Sequence, residues 1–94
     1  MTTYVKASHI LVKTEEEALN LKAEIKTLED FAKAAQQYSL CPSGQTGGDL
    51  GFFGRGQMVR EFEEAAFSME VGEISAPVKT QFGYHLLYLE AKED

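Results

Sequence analysis

The sequence predicts an α+β fold built on one small, largely antiparallel sheet. Strand-like alternation opens the chain at residues 4–12 and returns at residues 84–90. Between them lie helical stripes with capping signals. A glycine-rich run then holds six of the eight glycines between Gly44 and Gly56, yet it carries Leu50, Phe52 and Phe53, with Met58 and Phe62 just beyond. A flexible linker would bury little and would not carry such apolar side chains. Glycines beside rings and a thioether point to a backbone in unusual dihedrals that lines a concave surface for a small apolar group. A tight turn into a core strand is the plainer alternative.

The elements follow in chain order. In residues 4–12, Val5, Ala7, His9 and Leu11 fall on one face and Tyr4, Lys6, Ser8, Ile10 and Val12 on the other. Both faces turn apolar, as in a central strand covered on both sides. Thr14-Glu15-Glu16-Glu17 reads as a capping box in which Glu17 reaches back to the cap, and its acidic first turn suits the helix dipole. Ala18, Leu21, Ile25 and Leu28 mark the buried stripe of that helix, which runs to about Lys26. A second helix is expected over residues 29–38 with Phe31, Ala34, Ala35 and Tyr38 inward. Pro42 and Gly44 break it.

Residues 49–53 form a short strand candidate. Phe62, Ala65, Ala66 and Met69 have the spacing of a third helix. Val71-Gly72-Glu73 turns the chain, and residues 75–79 read as a short strand that Pro77 confines to an edge. After Gln81-Phe82-Gly83, the last strand sets His85, Leu87 and Leu89 opposite Tyr84, Leu86, Tyr88 and Glu90. The predicted order is β-α-α-β-α-β-β in a single domain, residues 1–94.

Bulk properties narrow the function classes. Ninety-four residues with 44% hydrophobic and 26% charged content suit a globular domain. The net charge of −6, concentrated in Glu15–Glu17 and in Glu90, Glu93 and Asp94, disfavours a nucleic-acid partner. A single cysteine excludes an internal disulfide and multi-cysteine zinc sites. With no membrane-length apolar run and no signal-peptide hydrophobic region at the start, the expectation is a cytosolic monomer without membrane contact, unless the domain is cut from a longer exported protein.

Two histidines sit mid-strand on apolar faces, His9 on the first strand and His85 on the last. Each alone reads as a core histidine with a satisfied hydrogen bond. Together with Cys41, Thr80 and the apolar set Leu50, Met58, Phe62 and Phe82, they also fit a polar network under a hydrophobic pocket. The glycine run lacks the Gly-Lys-Ser/Thr ending of a nucleotide loop, which argues against phosphate binding.

Five motifs in order make a specific resemblance: Ala7-Ser8-His9-Ile10-Leu11-Val12, Gly47-Gly48-Asp49-Leu50-Gly51, Gly54-Arg55-Gly56-Gln57-Met58-Val59, Phe62-Glu63-Glu64-Ala65-Ala66-Phe67 and Phe82-Gly83-Tyr84-His85. The chain resembles the parvulin family of peptidyl-prolyl cis/trans isomerases from about Val5 to Leu89. The resemblance implies a four-stranded antiparallel sheet wrapped by four helices, the extra one short and near residues 42–45. It implies a proline-ring pocket formed by Leu50, Met58 and Phe62, with Phe82 at the rim. His9 and His85 would belong to a network reaching Thr80 and Cys41. Proline-containing polypeptides would be the partners, with no cofactor and no metal.

The task so implied is physically modest. Rotation about an X-Pro amide meets a barrier of roughly 20 kcal/mol because twisting breaks the amide resonance. No bond is cleaved, so a site need only favour the twisted amide over both planar forms. A thousandfold gain asks for about 4 kcal/mol. In the family it resembles, the position matching Cys41 is cysteine in some members and aspartate in others, so Cys41 is expected to tune the field near the substrate carbonyl rather than to attack it. His9 and His85 are expected to hold the site rather than to serve as general acid and base. Phosphate-directed relatives carry basic residues in a long loop after the first strand. Here Lys13 runs straight into three glutamates, a poor anion site, so no phospho-selectivity is expected; residues before proline should be broadly tolerated, with apolar or basic ones favoured. Arg55 and Arg60 are the cations that could alter this. A non-catalytic chaperone module that binds extended peptides is the rival reading.

Overall fold

A computed structural model describes residues 3–93; Met1, Thr2 and the acidic Asp94 lie outside the described residues. The strands are β1 (Tyr4–Val12), β2 (Asp49–Gly54), β3 (Val78–Thr80) and β4 (Gly83–Glu93). The helices are α1 (Glu15–Glu24), α2 (Leu28–Tyr38) and α3 (Arg60–Ser68), with a short 3₁₀ helix at Pro42–Thr46. The strands form one antiparallel sheet in the order β2-β1-β4-β3. The short helix expected after α2 is thus present in 3₁₀ form, opened by Pro42, whose missing N–H costs nothing at a first helical position.

Alternation along the two central strands sorts side chains into two cores. Ile10, Val12 and Leu86 face one way and pack with Ala18 and Leu21 from α1, Ile25 at its C-cap, and Phe31, Ala34 and Ala35 from α2. Val5, Ala7, Leu87 and Leu89 face the other way and pack with Phe53, and with Phe62 and Ala66 from α3. Phe31, Ile10, Leu86, Leu87 and Leu89 are completely buried.

Several expectations need correction. α1 ends at Glu24, and Leu28 is exposed rather than part of its stripe, because Leu28 opens α2. A second N-cap explains this: the Thr27 hydroxyl accepts from the Asp30 amide at 3.1 Å. At Thr14 the hydroxyl accepts from the Glu17 amide at 3.2 Å as expected, but the Glu17 carboxylate meets that hydroxyl at 3.3 Å instead of the cap amide. Tyr38, the last residue of α2, is exposed and borders a surface groove with Leu21 and Glu24. The strand expected at 75–79 is shorter: Ser75 bonds the Leu87 backbone, Pro77 supplies no N–H, and regular pairing starts at Val78 on the sheet edge.

β2 carries the most consequential departure from simple alternation. Lys6 pairs with Phe52 and Ser8 with Asp49, so Leu50 and Gly51 together oppose Ala7. This β-bulge needs the positive φ of Gly51 (69°), and the Asp49 carboxylate accepts from the Gly51 amide at 2.8 Å. One extra residue reverses the facing of what precedes it. Leu50 consequently joins the Phe53 side of the sheet while Phe52 is exposed.

The segment from Ser39 to Gly48 is laced along β1. The Ser39 hydroxyl accepts from the Leu11 amide (3.1 Å), the Leu40 amide donates to the Leu11 carbonyl (2.8 Å), and the His9 amide donates to the Gly48 carbonyl (2.9 Å). The backbones meet so closely that a Cβ on Gly48 would fall 2.2 Å from the His9 carbonyl oxygen, at a φ of +81°. Gly56 has a similar φ of +87° but faces open space. Gly48→Ala should therefore cost clearly more stability than Gly56→Ala, where strain alone acts and about 1 kcal/mol is expected. Urea denaturation of the two variants checks this, and only Gly48→Ala should also move the His9 amide resonance.

Candidate active site

His9 and His85 come from adjacent central strands. His9 pairs with Leu87 and Leu11 pairs with His85, which makes the two histidines diagonal neighbours on one face of the sheet. Their rings stack with centroids 5.3 Å apart and planes 16° apart. The Nδ1 atoms lie 3.1 Å from each other, a hydrogen bond that two neutral imidazoles make with a single shared proton. The outer nitrogens are occupied as well. His85 Nε2 lies 2.8 Å from Thr80 Oγ1, and His9 Nε2 lies 2.9 Å from Ser43 Oγ. Thr80 Oγ1 also accepts from the Phe82 amide at 3.2 Å.

Phe62 of α3 stands edge-on to both rings, 5.6 Å from His9 and 5.4 Å from His85. Above this floor opens a cavity of about 380 Å³. His9, His85 and Phe62 line its base, and Leu11, Leu50, Met58 and Val59 its sides. Leu40, Cys41 and Pro42 from the β1-tethered loop, together with Phe82, complete the lining. Leu40 and Phe82 remain more than half exposed (54% and 61%), which places apolar surface at the mouth.

The structure thus brings together the pocket and network residues that the resemblance implies. Leu50, Met58, Phe62, Phe82, Cys41, His9 and His85 line the cavity, and Thr80 sits behind it, buried, holding His85. Two corrections follow. The network ends on Ser43 rather than Cys41; among the described residues no hydrogen bond joins the Cys41 side chain to a histidine. Phe52 and Phe53 do not line the cavity, since the bulge turns Phe52 to solvent and Phe53 lies in the core beside Phe62, at 6.0 Å between ring centroids. Sequence reasoning missed Ser43, Leu11, Leu40, Pro42 and Val59 as parts of the site. Ser43 carried a signal only in its closeness to Cys41, because its link to His9 depends on how the loop returns along β1.

The network is electrostatically quiet. Burial, and then the neighbouring His85, push His9 from an ordinary 6.5 down to about 4. Burial also lowers His85. Both imidazoles are uncharged near neutrality, so the cavity floor is polar without being ionic. Among the described residues, no cluster of three or more His, Cys, Asp or Glu side chains is placed to hold a metal ion. Arg55 and Arg60 turn to carboxylates instead of the cavity. Arg55 reaches Glu63 at 3.5 Å and lies 4.4 Å over the Phe67 ring, and Arg60 bonds Glu64 at 2.9 Å.

Comparison with known proteins decides the family. The rotamase family model, a PPIC-type PPIase domain, matches residues 6–91. The chain belongs to the parvulin family of peptidyl-prolyl cis/trans isomerases. It is 54% identical over 90 residues to the foldase protein PrsA of Geobacillus kaustophilus, an alignment covering 95% of this chain and 32% of that protein. It superposes on the peptidylprolyl isomerase PrsA of Bacillus anthracis with a TM-score of 0.90 at 42% identity, covering 99% of this chain and 43% of that one. The parvulin of Nitrosopumilus maritimus matches over nearly its whole length, 97% of this chain and 99% of that one, with 40% identity and a TM-score of 0.82. The chain spans about a third of the length of the foldase relatives it matches. Among the described residues, no helix is long and apolar enough to cross a membrane.

The histidine pair makes stability depend on pH in a definite direction. The folded value for His9 (about 4) lies below the unfolded 6.5, so the unfolded chain binds the proton first. Stabilisation by the neutral pair is complete above pH 6.5 and is lost as pH falls towards 4. Burial of His85 acts in the same sense. Unfolding free energy should drop by about 2 kcal/mol from pH 7 to pH 5, before most carboxylates titrate. Urea midpoints at those two values measure it, and removing both histidines should flatten the slope.

Proposed function

We propose that residues 1–94 act as one monomeric isomerase domain that binds proline in extended or unfolded polypeptides and favours the half-rotated amide without covalent chemistry. The observation that carries this reading is the apolar cavity floored by two uncharged histidines. A prolyl ring fits against Leu50, Met58 and Phe62, with Phe82 over the mouth, and burial of that ring fixes it while the acyl side turns. In the twisted amide the carbonyl gains double-bond character and the nitrogen becomes pyramidal, a less charge-separated state that a water-poor site favours.

The occupied ring nitrogens argue against acid, base or nucleophilic roles. His9 Nδ1 and His85 Nδ1 face each other, His9 Nε2 faces Ser43, and His85 Nε2 faces Thr80. No nitrogen is left to take a proton from Cys41, and a nucleophilic thiol needs such a base or a lowered pKa. In this reading Cys41 is a polar part of the wall near the substrate carbonyl, Thr80 orients His85, and the histidines form the fixed floor.

Selectivity follows from the mouth. Among the described residues, no lysine or arginine lines the cavity, and Arg55 and Arg60 are engaged by glutamates. Leu40 and Phe82 offer apolar contact to neighbouring residues of the peptide. We expect tolerance for apolar and basic residues before proline, and no preference for phosphoserine or phosphothreonine. The reading concerns the domain itself. It holds equally for a free-standing domain and for one within a longer protein of the length seen in the foldase relatives.

Isomer exchange in short X-Pro peptides, followed by NMR, tests the proposal against a binding module that shifts resonances without speeding exchange. Ala-Pro and Leu-Pro peptides should exchange faster than Glu-Pro ones, and a strong preference for glutamate would reverse the selectivity argument. Met58→Ala combined with Phe62→Ala should abolish turnover in a folded domain that is destabilised by about 3–5 kcal/mol for the buried Phe62 and by less for the half-buried Met58. Cys41→Ser should keep activity within about tenfold of the parent, whereas a thiolate mechanism requires a loss on the order of a thousandfold or more.

A further inference from the structure

Exposed apolar side chains gather at two places on the domain. Leu40, Val59 and Phe82 border the cavity. Leu28, Phe52 and Val71 rim a second concavity of about 460 Å³. The cavity draws on His9 and Leu11 of β1 and on His85 of β4, whereas this groove draws on Lys6 of β1 and on residues 88–91 of β4. It therefore lies across the other end of the sheet. Its floor of Lys6, Tyr88 and Glu90 continues the face that the helices cover further along β1 and β4. Leu28, the first residue of α2, stands at its border, so the helix begins there and leaves the sheet beyond it open.

β2 joins the two concavities. Leu50 lines the cavity and Phe52, two residues on, lines the groove, because the Gly51 bulge sends them to opposite sides of the sheet. β2 is also an edge strand. The Gly54 amide donates to the Gln57 side chain at 3.1 Å and so points away from β1. Backbone alternation turns the Phe52 N–H and C=O the same way, outward from the sheet. An extended polypeptide beside β2 would meet unpaired backbone, with the cavity on one face and the groove on the other. Its own side chains would alternate between those faces. A half-exposed phenylalanine on an edge strand is a liability in a protein that docks nothing there.

The charge on the groove narrows its occupant. Lys6 and Glu90 bring one cation and one anion to the floor of a chain whose net charge is −6. That balance favours neither an anionic nor a strongly basic ligand, and the rim is apolar, so the groove fits a neutral segment with bulky apolar side chains. The domain is 33 Å long on its longest axis, which about ten residues of extended chain span at roughly 3.3 Å each.

We propose that the Phe52 groove is a second docking site for the client polypeptide: it holds a bulky apolar side chain of the same extended segment whose proline occupies the cavity, reached along the outer edge of β2. Its link to catalysis rests on the isomerase reading, whereas occupancy of the groove does not. Two contacts on one chain raise the local concentration of the proline at the cavity, so the groove acts on KM and leaves the rotation step alone.

Phe52→Ser combined with Val71→Ser tests this, since both side chains are about half exposed (49% and 56%) and neither lines the cavity. Amide spectra confirm that the variant is folded. The probes are an Ala-Pro tetrapeptide and two longer peptides that carry Leu-Phe-Leu about six residues before or after Ala-Pro. For the tetrapeptide, kcat/KM should be the same in both proteins. For at least one longer peptide, KM should lie below that of the tetrapeptide in the parent chain and rise about tenfold in the variant at constant kcat. That peptide should also shift the Phe52 and Val71 amide resonances of the parent together with those of the cavity. An unchanged KM in the variant, or shifts confined to the cavity, would overturn the second site. So would a parent chain that sediments as a dimer and a variant that sediments as a monomer, because a second copy would then fill the groove. Shifts at both places without faster exchange would count against the isomerase reading alone.

Discussion

Everything at the site depends on one register. β1 and β4 pair so that His9 faces Leu87 and Leu11 faces His85, which leaves the histidines diagonal on the same face. A slip of one residue would send one of them through to the α1–α2 core and end their contact. Such a slip is costly, because it would also turn Ile10 or Leu86 out of the first core and Leu87 or Leu89 out of the second. The two-sided burial of the central strands therefore holds the geometry of the candidate site. Function needs no separate support here; the packing that folds the domain also places its site.

A buried pair of imidazoles is expensive unless every polar atom is satisfied. Here Ser43 and Thr80 take the outer nitrogens and the rings satisfy each other. The result is a cavity floor with oriented dipoles and no net charge near neutrality, since burial holds both histidines below their ordinary range. That suits a reaction in which charge separation decreases towards the transition state. A charged floor would bind the planar, polar amide well and so deepen the ground state, leaving less differential binding to lower the barrier.

Much of this was legible in the chain, because local rules governed it. Alternation placed His9 and His85 on their faces, and helical spacing placed Phe62 and Met69 inward. Where the reading missed, a longer-range or competing feature won. The Thr27 cap divided what looked like a longer stripe and exposed Leu28. The β2 bulge at Gly51 moved Leu50 and Phe53 to one side and Phe52 to the other, where strict period-two counting would pair Leu50 with Phe52. Ser43 was invisible for a different reason. Its partner lies thirty-four positions earlier, and only the return of the loop along Leu11 and His9 brings them together.

Phe62 shows how the cavity and the core are one object. It packs with Phe53 in the second core, and it stands edge-on to both histidines at the cavity base. Leu50 and Met58 are likewise only partly buried against that core while also lining the cavity. The cavity is thus the open end of the α3-side core, apolar surface that the chain leaves unfilled. Leaving it open forgoes stabilisation that a larger side chain would supply at roughly 25 cal/mol per Å² buried. In the proposed reading a prolyl ring would complete the packing, and the energy released on its burial would be available to hold the amide part-way through rotation.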